Sequence, residues 1–439
     1  MSATKAARDK LTGSPTPPLP PTALAANGAG NGPPVAEGPP APAPTPGELR
    51  NGHHSKVRSG FPSELPGEVV EVWTDEEEAR ATGLLCILDE EGRADPERVP
   101  RLTPDELRQM YSGMLRSRLL DQRLLPLQRQ GRIGFYIGAT GQEAGVIAGA
   151  HAITPEDWFV PGLRETSAAL YRGFPLREHI AQIFGNDHDL GRGRQMPCHS
   201  GSRASHHIVM SSCVSSQLPH AAGLAMAARM KGDKTVTLGY GGDGGTSEED
   251  FHVALNFAAV FKAPVVFVCQ NNQWAISTPL SLQTVSRTIA IKGLAYGVPS
   301  LRVDGNDIFA MYAALKEATD RARAGGGPSF IEALTYRLGA HSSSDDPTRY
   351  RDEAEPETWK RKDPLVRFRT WLLANGVFTA ETEAALAAAL EAEIRRIIAE
   401  EETVGPPLLS SLVEDVFAEP TWNLREQLAD LERVRSRKG

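Results

Sequence analysis

The feature that most constrains this chain is a pair of short polar motifs, each placed where a predicted apolar strand ends. Gly242-Asp243-Gly244 follows a β-branched and aromatic run at 235–240, and Asn271-Asn272 follows a second apolar run at 265–269. A single predicted helix separates the two strands. Because a right-handed crossover makes such strands parallel, Asp243 and Asn272 should lie together beyond the carboxyl ends of their strands. This pattern predicts an α/β fold with a doubly wound, mostly parallel sheet.

The helix between the motifs is predicted to begin at Thr246 and Ser247, with Glu249 and Asp250 as capping-box partners. Magnesium takes about six oxygen ligands and commonly combines one or two carboxylates with the phosphates of its ligand. A carboxylate and an amide oxygen at the strand ends would leave positions for phosphate oxygens. Glycines nearby would let backbone N–H groups approach the same anion. The sequence therefore predicts a site for magnesium and a diphosphate.

A nicotinamide-dependent oxidoreductase is the first alternative, because residues 239–244 also match the dinucleotide-binding pattern G-x-G-x-x-G. That match is weak evidence by itself. It puts the carboxylate of Asp243 inside the loop that would hold the pyrophosphate, and the next strand ends in asparagines where a ribose-binding acid is expected. A non-catalytic scaffold subunit is a second alternative. Asp243, Asn272 and His341 carry the carboxylate, amide and imidazole that a catalytic subunit needs, which argues against a scaffold.

The spacing of the two motifs, with a gap of 26 residues between them, resembles the signature of thiamine-diphosphate enzymes. From about 102 to 423 the chain resembles the alpha subunits of the decarboxylating components of branched-chain 2-oxo acid dehydrogenases. Besides the two motifs, four further segments carry this resemblance: 130–136, 191–197, 303–307 and 341–346. The resemblance implies that the cofactor supplies the carbanion and the electron sink for decarboxylation.

The resemblance also implies the residues that hold the cofactor. Asp243, Asn272 and the backbone carbonyl of Trp274 would bind magnesium, Arg164 would bind the diphosphate, and His341 would be the catalytic residue. From the residues alone, a surface ion pair with Glu165 or Asp157 is the ordinary alternative for Arg164. The complete set implied for cofactor binding is Leu163, Arg164, Ser212, Val214, Gly242, Asp243, Gly244, Gly245, Gln270, Asn272, Trp274 and His341.

His341 opens a polar loop after the apolar strand predicted at 330–336. The residues expected to order this loop are Arg337, Ser342, Asp345, Tyr350 and Arg351. In animal relatives the serine that matches Ser342 is phosphorylated by an inhibitory kinase. A dianion there would disrupt such a loop.

Three positions depart from the usual pattern of the relatives. Trp274 stands where the family usually has tyrosine, Leu163 replaces a tyrosine found in animal members, and Gln270 replaces an arginine just before the asparagine pair. With Phe135 and Val214, Leu163 would form an apolar wall suited to a branched aliphatic side chain, where each methylene contributes about 1–3 kcal/mol to discrimination. A pyruvate- or acetoin-specific relative remains the alternative within this class.

The resemblance implies partners. A beta subunit would supply the activating glutamate in an α2β2 heterotetramer, and a lipoyl-bearing dihydrolipoamide acyltransferase would accept the acyl group. The chain should therefore be inactive alone. A potassium site, as in animal relatives, would involve four residues: Ser211, Cys213, Ser216 and Gln217.

Composition and charge place further limits on the chain. Of the 33 prolines, 12 lie in the first fifty residues, so 1–60 is predicted to be a disordered arm. A lead-in segment at 61–100, the cofactor domain at 101–375 and C-terminal helices at 376–439 complete the predicted organisation. A net charge of −8 argues against nucleic acid as a partner. We expect no membrane segment, reduced core thiols at all four cysteines, and a cytoplasmic location.

Overall fold

The computed structural model describes residues 74–414 and 416–437. The predicted arm at 1–60 and the first part of the predicted lead-in segment lie outside the described residues. Five strands form one parallel sheet in the order β1-β2-β3-β7-β6. Two short strands, β4 and β5, form a separate hairpin. The strands are β1 (Trp158–Val160), β2 (Thr237–Gly242), β3 (Val265–Asn271), β4 (Trp274–Ala275), β5 (Thr278–Pro279), β6 (Ser300–Asp304) and β7 (Ser329–Leu334).

Helices cover both faces of this sheet and extend beyond it. The first seven are α1 (Asp75–Thr82), α2 (Pro104–Arg129), α3 (Glu143–Ala152), α4 (Thr166–Tyr171), α5 (Leu176–Phe184), α6 (Gln217–Lys231) and α7 (Glu249–Val260). The remainder are α8 (Leu280–Gln283), α9 (Ile291–Leu294), α10 (Ile308–Arg323), α11 (Ala354–Lys360), α12 (Pro364–Ala374), α13 (Ala380–Glu402), α14 (Ser411–Glu414) and α15 (Trp422–Ser436).

Two apolar clusters show how the sheet is covered on each side. Ile147 of α3 and Phe309 of α10 pack with Val268 on one face, and Leu255 of α7 packs with Phe267 on the other. Successive residues of a strand point to opposite faces, so β3 needs apolar side chains at both positions, as its sequence provides. The prediction of a doubly wound α/β fold with a helical C-terminal region is therefore confirmed.

The central pair of strands brings the two sequence motifs together. In the parallel register of β2 and β3, Thr237 lies opposite Val265 and Gly242 lies opposite Gln270. Asp243 and Asn272 then follow at the same edge of the sheet, because both strands run in the same direction. The two motifs therefore lie at the same edge of the sheet, as predicted.

The predicted capping box before α7 is wrong. Residues Gly244–Ser247 form a 3₁₀ turn, and the residue before α7 is Glu248, whose side chain makes no capping hydrogen bond. The 3₁₀ turn uses Thr246 differently, because its hydroxyl donates to the carbonyl of Asp243 at 2.9 Å. The polar residues that suggested a helix start therefore tighten the turn after β2.

The C-terminal region is helical, as predicted. Helix α13 packs against α2 and α5 through Ile394 and Ile398. No helix among the described residues is long and apolar enough to cross a membrane. The four cysteines are free thiols. Cys198 and Cys269 are buried, but Cys86 is only half-buried and Cys213 is exposed, so the prediction that all four are core thiols is wrong for these two.

Candidate active site

A cleft of about 240 Å³ opens at the carboxyl end of the sheet. Its walls come from the loops that follow β1, β2, β3 and β7, together with the segment that leads into α6. This is the expected place for a ligand in an open parallel sheet. All twelve residues predicted to bind the cofactor line it: Leu163, Arg164, Ser212, Val214, Gly242, Asp243, Gly244, Gly245, Gln270, Asn272, Trp274 and His341.

Asp243 is a buried carboxylate at the base of this cleft, with only 2% of the residue exposed. Burial raises the pKa of Asp243, and hydrogen bonds led by that from the Gln283 side chain oppose the rise. The Nε2 of Gln283 donates to Asp243 Oδ2 at 2.7 Å. A carboxylate withdrawn from water in this way is stabilised by a cation.

Asn272 lies beside Asp243 with its amide group fixed. Its Nδ2 donates to Gln142 Oε1 at 3.1 Å, and its Oδ1 accepts from the backbone N–H of Trp274 at 3.2 Å. An amide oxygen has two lone pairs, so Oδ1 retains acceptor capacity for a metal. The structure thus supplies one carboxylate and one amide oxygen at neighbouring strand ends.

The third predicted magnesium ligand, the carbonyl of Trp274, accepts a hydrogen bond from Arg337 Nη1 at 3.2 Å. Arg337 also donates from Nη2 to the carbonyl of Ile276 at 2.7 Å. The indole ring of Trp274 packs against Tyr350 with 5.5 Å between ring centroids. The backbone at 274–276 is therefore fixed by a buried guanidinium from the strand-end loop that also carries His341.

Arg164 is buried beside His341, with 6% of the residue exposed. Its Nη2 donates to the His341 carbonyl at 2.6 Å and lies 3.2 Å from His341 Nδ1, while its Nη1 donates to the carbonyl of Gly138. Asp157 pairs instead with Arg323. The alternative of a surface ion pair for Arg164 is therefore wrong.

The charge state of His341 follows from these neighbours. Burial, with the positive charges of Arg164 and Arg337, lowers the pKa of His341 to about 4, so its ring is neutral at neutral pH. Because a guanidinium has only donors, Nδ1 of His341 accepts the hydrogen bond from Arg164. The proton of the neutral ring then resides on Nε2, which makes that atom a hydrogen-bond donor.

Burial also lowers the pKa of Arg164 to about 10, and repulsion from Arg337 adds to this effect. Two buried guanidinium groups thus lie near the neutral histidine, and the carboxylates of Glu165, Asp121 and Asp243 partly offset the charge of Arg164. Other N–H groups of Arg164 remain to bind an anion after its contacts to Gly138 and His341.

The residues predicted to order the His341 loop form one connected network. Asp345 Oδ2 accepts from the His341 backbone N–H at 2.7 Å and from the Tyr350 hydroxyl at 2.5 Å. Arg337 Nη2 donates to the Tyr350 hydroxyl at 2.8 Å. Arg351 donates to the carbonyl of Arg337 at 2.6 Å and to the carbonyls of the next two residues at 2.9 Å.

Ser342 is buried next to His341, and its hydroxyl accepts from the backbone N–H of Ser344 at 3.4 Å. The following residue ties the loop to the segment before α3. Ser343 donates its N–H to the carbonyl of Tyr136 at 2.9 Å, and its hydroxyl accepts from the N–H of Tyr136 at 3.0 Å. Ser343 therefore attaches the middle of the loop to the segment before α3 through two hydrogen bonds.

The predicted substrate wall is only partly assembled within this chain. Leu163 and Val214 line the cleft, and Val214 is exposed. Phe135 is half-buried and does not belong to the lining of the cleft. The prediction that Phe135 shares a wall with the other two residues therefore does not match this lining.

The residues predicted for a potassium site form a compact polar turn. The hydroxyl of Ser216 donates to the carbonyl of Cys213 at 2.7 Å, and its oxygen lies 3.1 Å from Ser211 Oγ. Gln217 points toward the sheet, where its Nε2 donates to the carbonyl of Tyr240 at 2.9 Å. The turn brings oxygen atoms of Ser211, Cys213 and Ser216 together.

Three further polar residues contribute to the site although the sequence pattern did not single them out for it. Gln142 orients Asn272, and Gln283 contacts Asp243. Glu165 lines the cleft, is buried, and accepts from Gln270 Nε2 at 2.7 Å. Burial raises the pKa of Glu165. The adjacency of Glu165 to Arg164 could have indicated its place in the site. Gln142 is distant from both motifs in sequence, and Gln283 follows the second motif with no pattern that marks it.

The donor set fits magnesium and a diphosphate. Four residues that line the cleft each carry a buried side-chain atom with no hydrogen-bond partner among the described residues: Gln142 Nε2, Gln217 Oε1, Gln270 Oε1 and Trp274 Nε1. A Cβ atom on Gly244 would lie 2.6 Å from the Cβ of Ala275, so only glycine keeps this wall open. Among the described residues, no group of three or more His, Cys, Asp or Glu side chains is arranged to hold a metal ion.

A doubly wound parallel sheet, with an aspartate and an asparagine at neighbouring strand ends and buried arginines opposite them, defines a class of diphosphate-binding α/β proteins. The family model described as dehydrogenase E1 component matches residues 111–407, and the chain belongs to this family. The resemblance inferred from the motifs is thereby confirmed.

The chain is also similar in sequence to individual members of this family. The chain is 47% identical over 319 residues to 2-oxoisovalerate dehydrogenase subunit alpha 2, mitochondrial, of Arabidopsis thaliana, covering 72% of this chain and 68% of the relative. It is 41% identical over 377 residues to the alpha 1 protein of the same plant, covering 85% and 80%. It is also 42% identical over 346 residues to the pyruvate dehydrogenase E1 component subunit alpha of Staphylococcus aureus, covering 78% and 91%.

Proposed function

We propose that this chain is the alpha subunit of a thiamine-diphosphate-dependent component that decarboxylates branched-chain 2-oxo acids. The observation that carries the proposal is the convergence of Asp243, Asn272, Arg164 and His341 in one cleft at the carboxyl end of the sheet. Membership in the E1 family and the 47% identity to a 2-oxoisovalerate dehydrogenase alpha subunit support the same activity.

The cofactor, when bound, supplies the nucleophilic carbon and the electron sink for loss of carbon dioxide. The residues of this chain bind and orient it. Asp243, Asn272 and the carbonyl of Trp274 would hold magnesium, and Arg164 would hold the diphosphate. The Nε2–H of His341 would donate a hydrogen bond to negative charge in the cleft, and the burial of this ring keeps it neutral for that task.

Branched-chain substrates are favoured over pyruvate by the apolar side chains of Leu163 and Val214 in the cleft. The 42% identity to the alpha subunit of a pyruvate dehydrogenase makes pyruvate the second candidate. A nicotinamide cofactor is disfavoured, because the buried carboxylate of Asp243 occupies the loop that would have to receive its pyrophosphate.

A beta subunit completes the proposed enzyme, in an α2β2 heterotetramer that passes its acyl group to a lipoyl-bearing acyltransferase. Activation of the cofactor requires a carboxyl group, and neither further glutamate in the described cleft suits that task. Glu165 is held by Gln270 and by the backbone N–H of Arg164, and Glu248 is exposed before α7. A partner that supplies a glutamate above the exposed Val214 satisfies this need.

The compact turn at Ser211, Cys213 and Ser216 supports a potassium site within the same proposal. A cytoplasmic location is proposed from the composition of residues 1–60. Potassium dependence of thermal stability and fractionation of cells test these two points separately.

The experiment that tests cofactor binding is calorimetry with thiamine diphosphate, in the presence and absence of magnesium, on the complex formed with the beta subunit. Binding should need magnesium and should be lost in Asp243→Asn. Asp250→Asn, in the first turn of α7, is the matched control and should bind as the wild type does. Binding of thiamine diphosphate by Asp243→Asn with unchanged magnesium dependence would contradict the assignment.

A further inference from the structure

Gln283 lies at the end of α8, outside the polar motifs of the sequence, yet it contacts the carboxylate at the base of the cleft. Its Nε2 donates to Asp243 Oδ2 at 2.7 Å and to the carbonyl of Thr278 at 3.0 Å. One amide nitrogen thus joins the turn after β2 to the hairpin after β3. The described structure shows no other side-chain donor to the Asp243 carboxylate within hydrogen-bond distance.

The position of Gln283 is fixed by the same hairpin that carries Trp274. Strands β4 and β5 pair, and the N–H of Leu280 then donates to the carbonyl of Gln273 at 3.0 Å, which folds α8 back toward the cleft. Ser247 of the 3₁₀ turn donates its hydroxyl to the carbonyl of Gln283 at 3.5 Å. The hairpin that begins at Trp274 therefore also places the amide of Gln283 against Asp243.

The amide has a second atom with no assigned partner. Gln283 Oε1 is buried and accepts no hydrogen bond from any described residue. Magnesium usually keeps several water molecules, and these waters need acceptors. A glutamine that donates to the carboxylate ligand and offers a buried oxygen beside it has the chemistry of a group that supports a metal through its ligands and waters.

We propose that Gln283 is a positioning residue for magnesium, which fixes the Asp243 carboxylate so that its remaining oxygen faces the metal. This inference rests on the proposed function, since that function requires the metal. Gln283 acts through Asp243 and touches neither substrate nor cofactor. Loss of its amide should therefore weaken magnesium binding while the cofactor site itself stays formed.

The test uses the complex with the beta subunit, stripped of metal with a chelator. Magnesium is titrated at a fixed concentration of thiamine diphosphate, and the bound cofactor is measured by equilibrium dialysis. In Gln283→Met, which has a similar volume and no N–H donor, the half-saturating magnesium concentration should rise about 10- to 100-fold, the range found for groups that support metal ligands. At saturating magnesium the bound cofactor should reach the wild-type stoichiometry.

Gln283→Asn withdraws the amide by one methylene and provides a milder second variant, with a shift in the same direction. Leu282→Ala is the control on the same turn, because Leu282 is 77% exposed, and its titration should match the wild type within about twofold. Thermal unfolding without magnesium should be unchanged in Leu282→Ala and lowered by only a few degrees in the two Gln283 variants, which lose hydrogen bonds to Asp243 and to the carbonyl of Thr278.

Two results would overturn the role of Gln283. One is a magnesium titration of Gln283→Met that superimposes on the wild type. The other is low cofactor occupancy at every magnesium concentration, which indicates a packing role. Magnesium-independent binding, or none, by the wild-type complex would instead overturn the proposed function itself, so the two failures are distinguishable.

Discussion

Arg164 holds His341 at two points, donating from Nη2 to its carbonyl oxygen at 2.6 Å and to its ring Nδ1 at 3.2 Å. The first contact fixes the backbone of the loop after β7, and the second selects the tautomer with its proton on Nε2. Arg164 therefore helps to position His341, selects the tautomer of its ring and adds to the effect of burial that keeps the ring neutral. The same guanidinium retains N–H groups for an anion in the cleft.

Arg164→Lys should weaken binding of thiamine diphosphate about 10- to 100-fold, because an ammonium keeps the charge but cannot reproduce the divergent contacts of the guanidinium. Equilibrium dialysis of the complex at saturating magnesium measures this change. Arg172→Lys, whose side chain bonds backbone carbonyls away from the cleft, is the control and should bind normally. Equal affinity of Arg164→Lys and the wild type would contradict the role assigned to Arg164.

Tyr350→Phe should loosen the loop that carries His341, because the Tyr350 hydroxyl accepts from Arg337 and donates to Asp345. Tyr350→Phe removes both hydrogen bonds, each of which contributes about 1 kcal/mol, so amide exchange at 341–345 should accelerate by about fivefold or more. Hydrogen exchange followed by mass spectrometry measures this. Tyr312→Phe on α10 should leave the loop unchanged, and unaltered exchange in Tyr350→Phe would show that the hydroxyl does not order it.

The protein should lose stability as the pH falls from about 6.5 toward 4. Burial lowers the pKa of His179, His207 and His341 from 6.5 to about 4, so the unfolded chain binds these protons before the native protein does. Stability is therefore highest above pH 6.5 and falls through this window, by at most about 3 kcal/mol for each histidine.

Urea unfolding at several pH values measures this dependence, and His179→Gln should reduce its slope between pH 6.5 and 4. His220→Gln, at an exposed position of α6, is the control and should retain the wild-type slope. An identical slope in His179→Gln would mean that the buried ring does not contribute.

Leu163→Asn should shift substrate preference toward pyruvate, because an amide of similar volume replaces the apolar surface that a branched aliphatic side chain would contact. The ratio of kcat/KM for 3-methyl-2-oxobutanoate over that for pyruvate should fall about tenfold, since each methylene contributes about 1–3 kcal/mol. Leu190→Asn, at an exposed leucine outside the cleft, should leave the ratio unchanged. No change in Leu163→Asn would remove Leu163 from the substrate wall.

The sequence was sufficient to place the strands around the two motifs, because buried parallel strands require continuous apolar runs and their carboxyl ends must coincide. It was not sufficient for groups brought in by distant turns. Gln283 lies 40 residues after Asp243 and has no periodic or motif signal, and only the β4–β5 hairpin brings it to the carboxylate. The burial of Arg164 was equally hidden, since its partners Gly138 and His341 are distant in sequence.

The predicted helix start at Thr246 failed for a local reason. Threonine and serine hydroxyls suit both helix caps and tight turns, and here Thr246 closes a 3₁₀ turn that Lys292 also supports. The ammonium of Lys292 donates to Thr246 Oγ1 at 2.8 Å, a contact from another element that the local pattern does not contain.

The proposed activity is tested most directly by measuring decarboxylation of 3-methyl-2-oxobutanoate and of pyruvate in the presence of thiamine diphosphate and magnesium. The two samples are this chain alone and its complex with the beta subunit. We expect activity only in the complex, with the branched acid preferred. Preference for pyruvate would contradict the assignment of the apolar wall. Activity of the chain alone, or none in the complex, would contradict the division of the active site between two subunits.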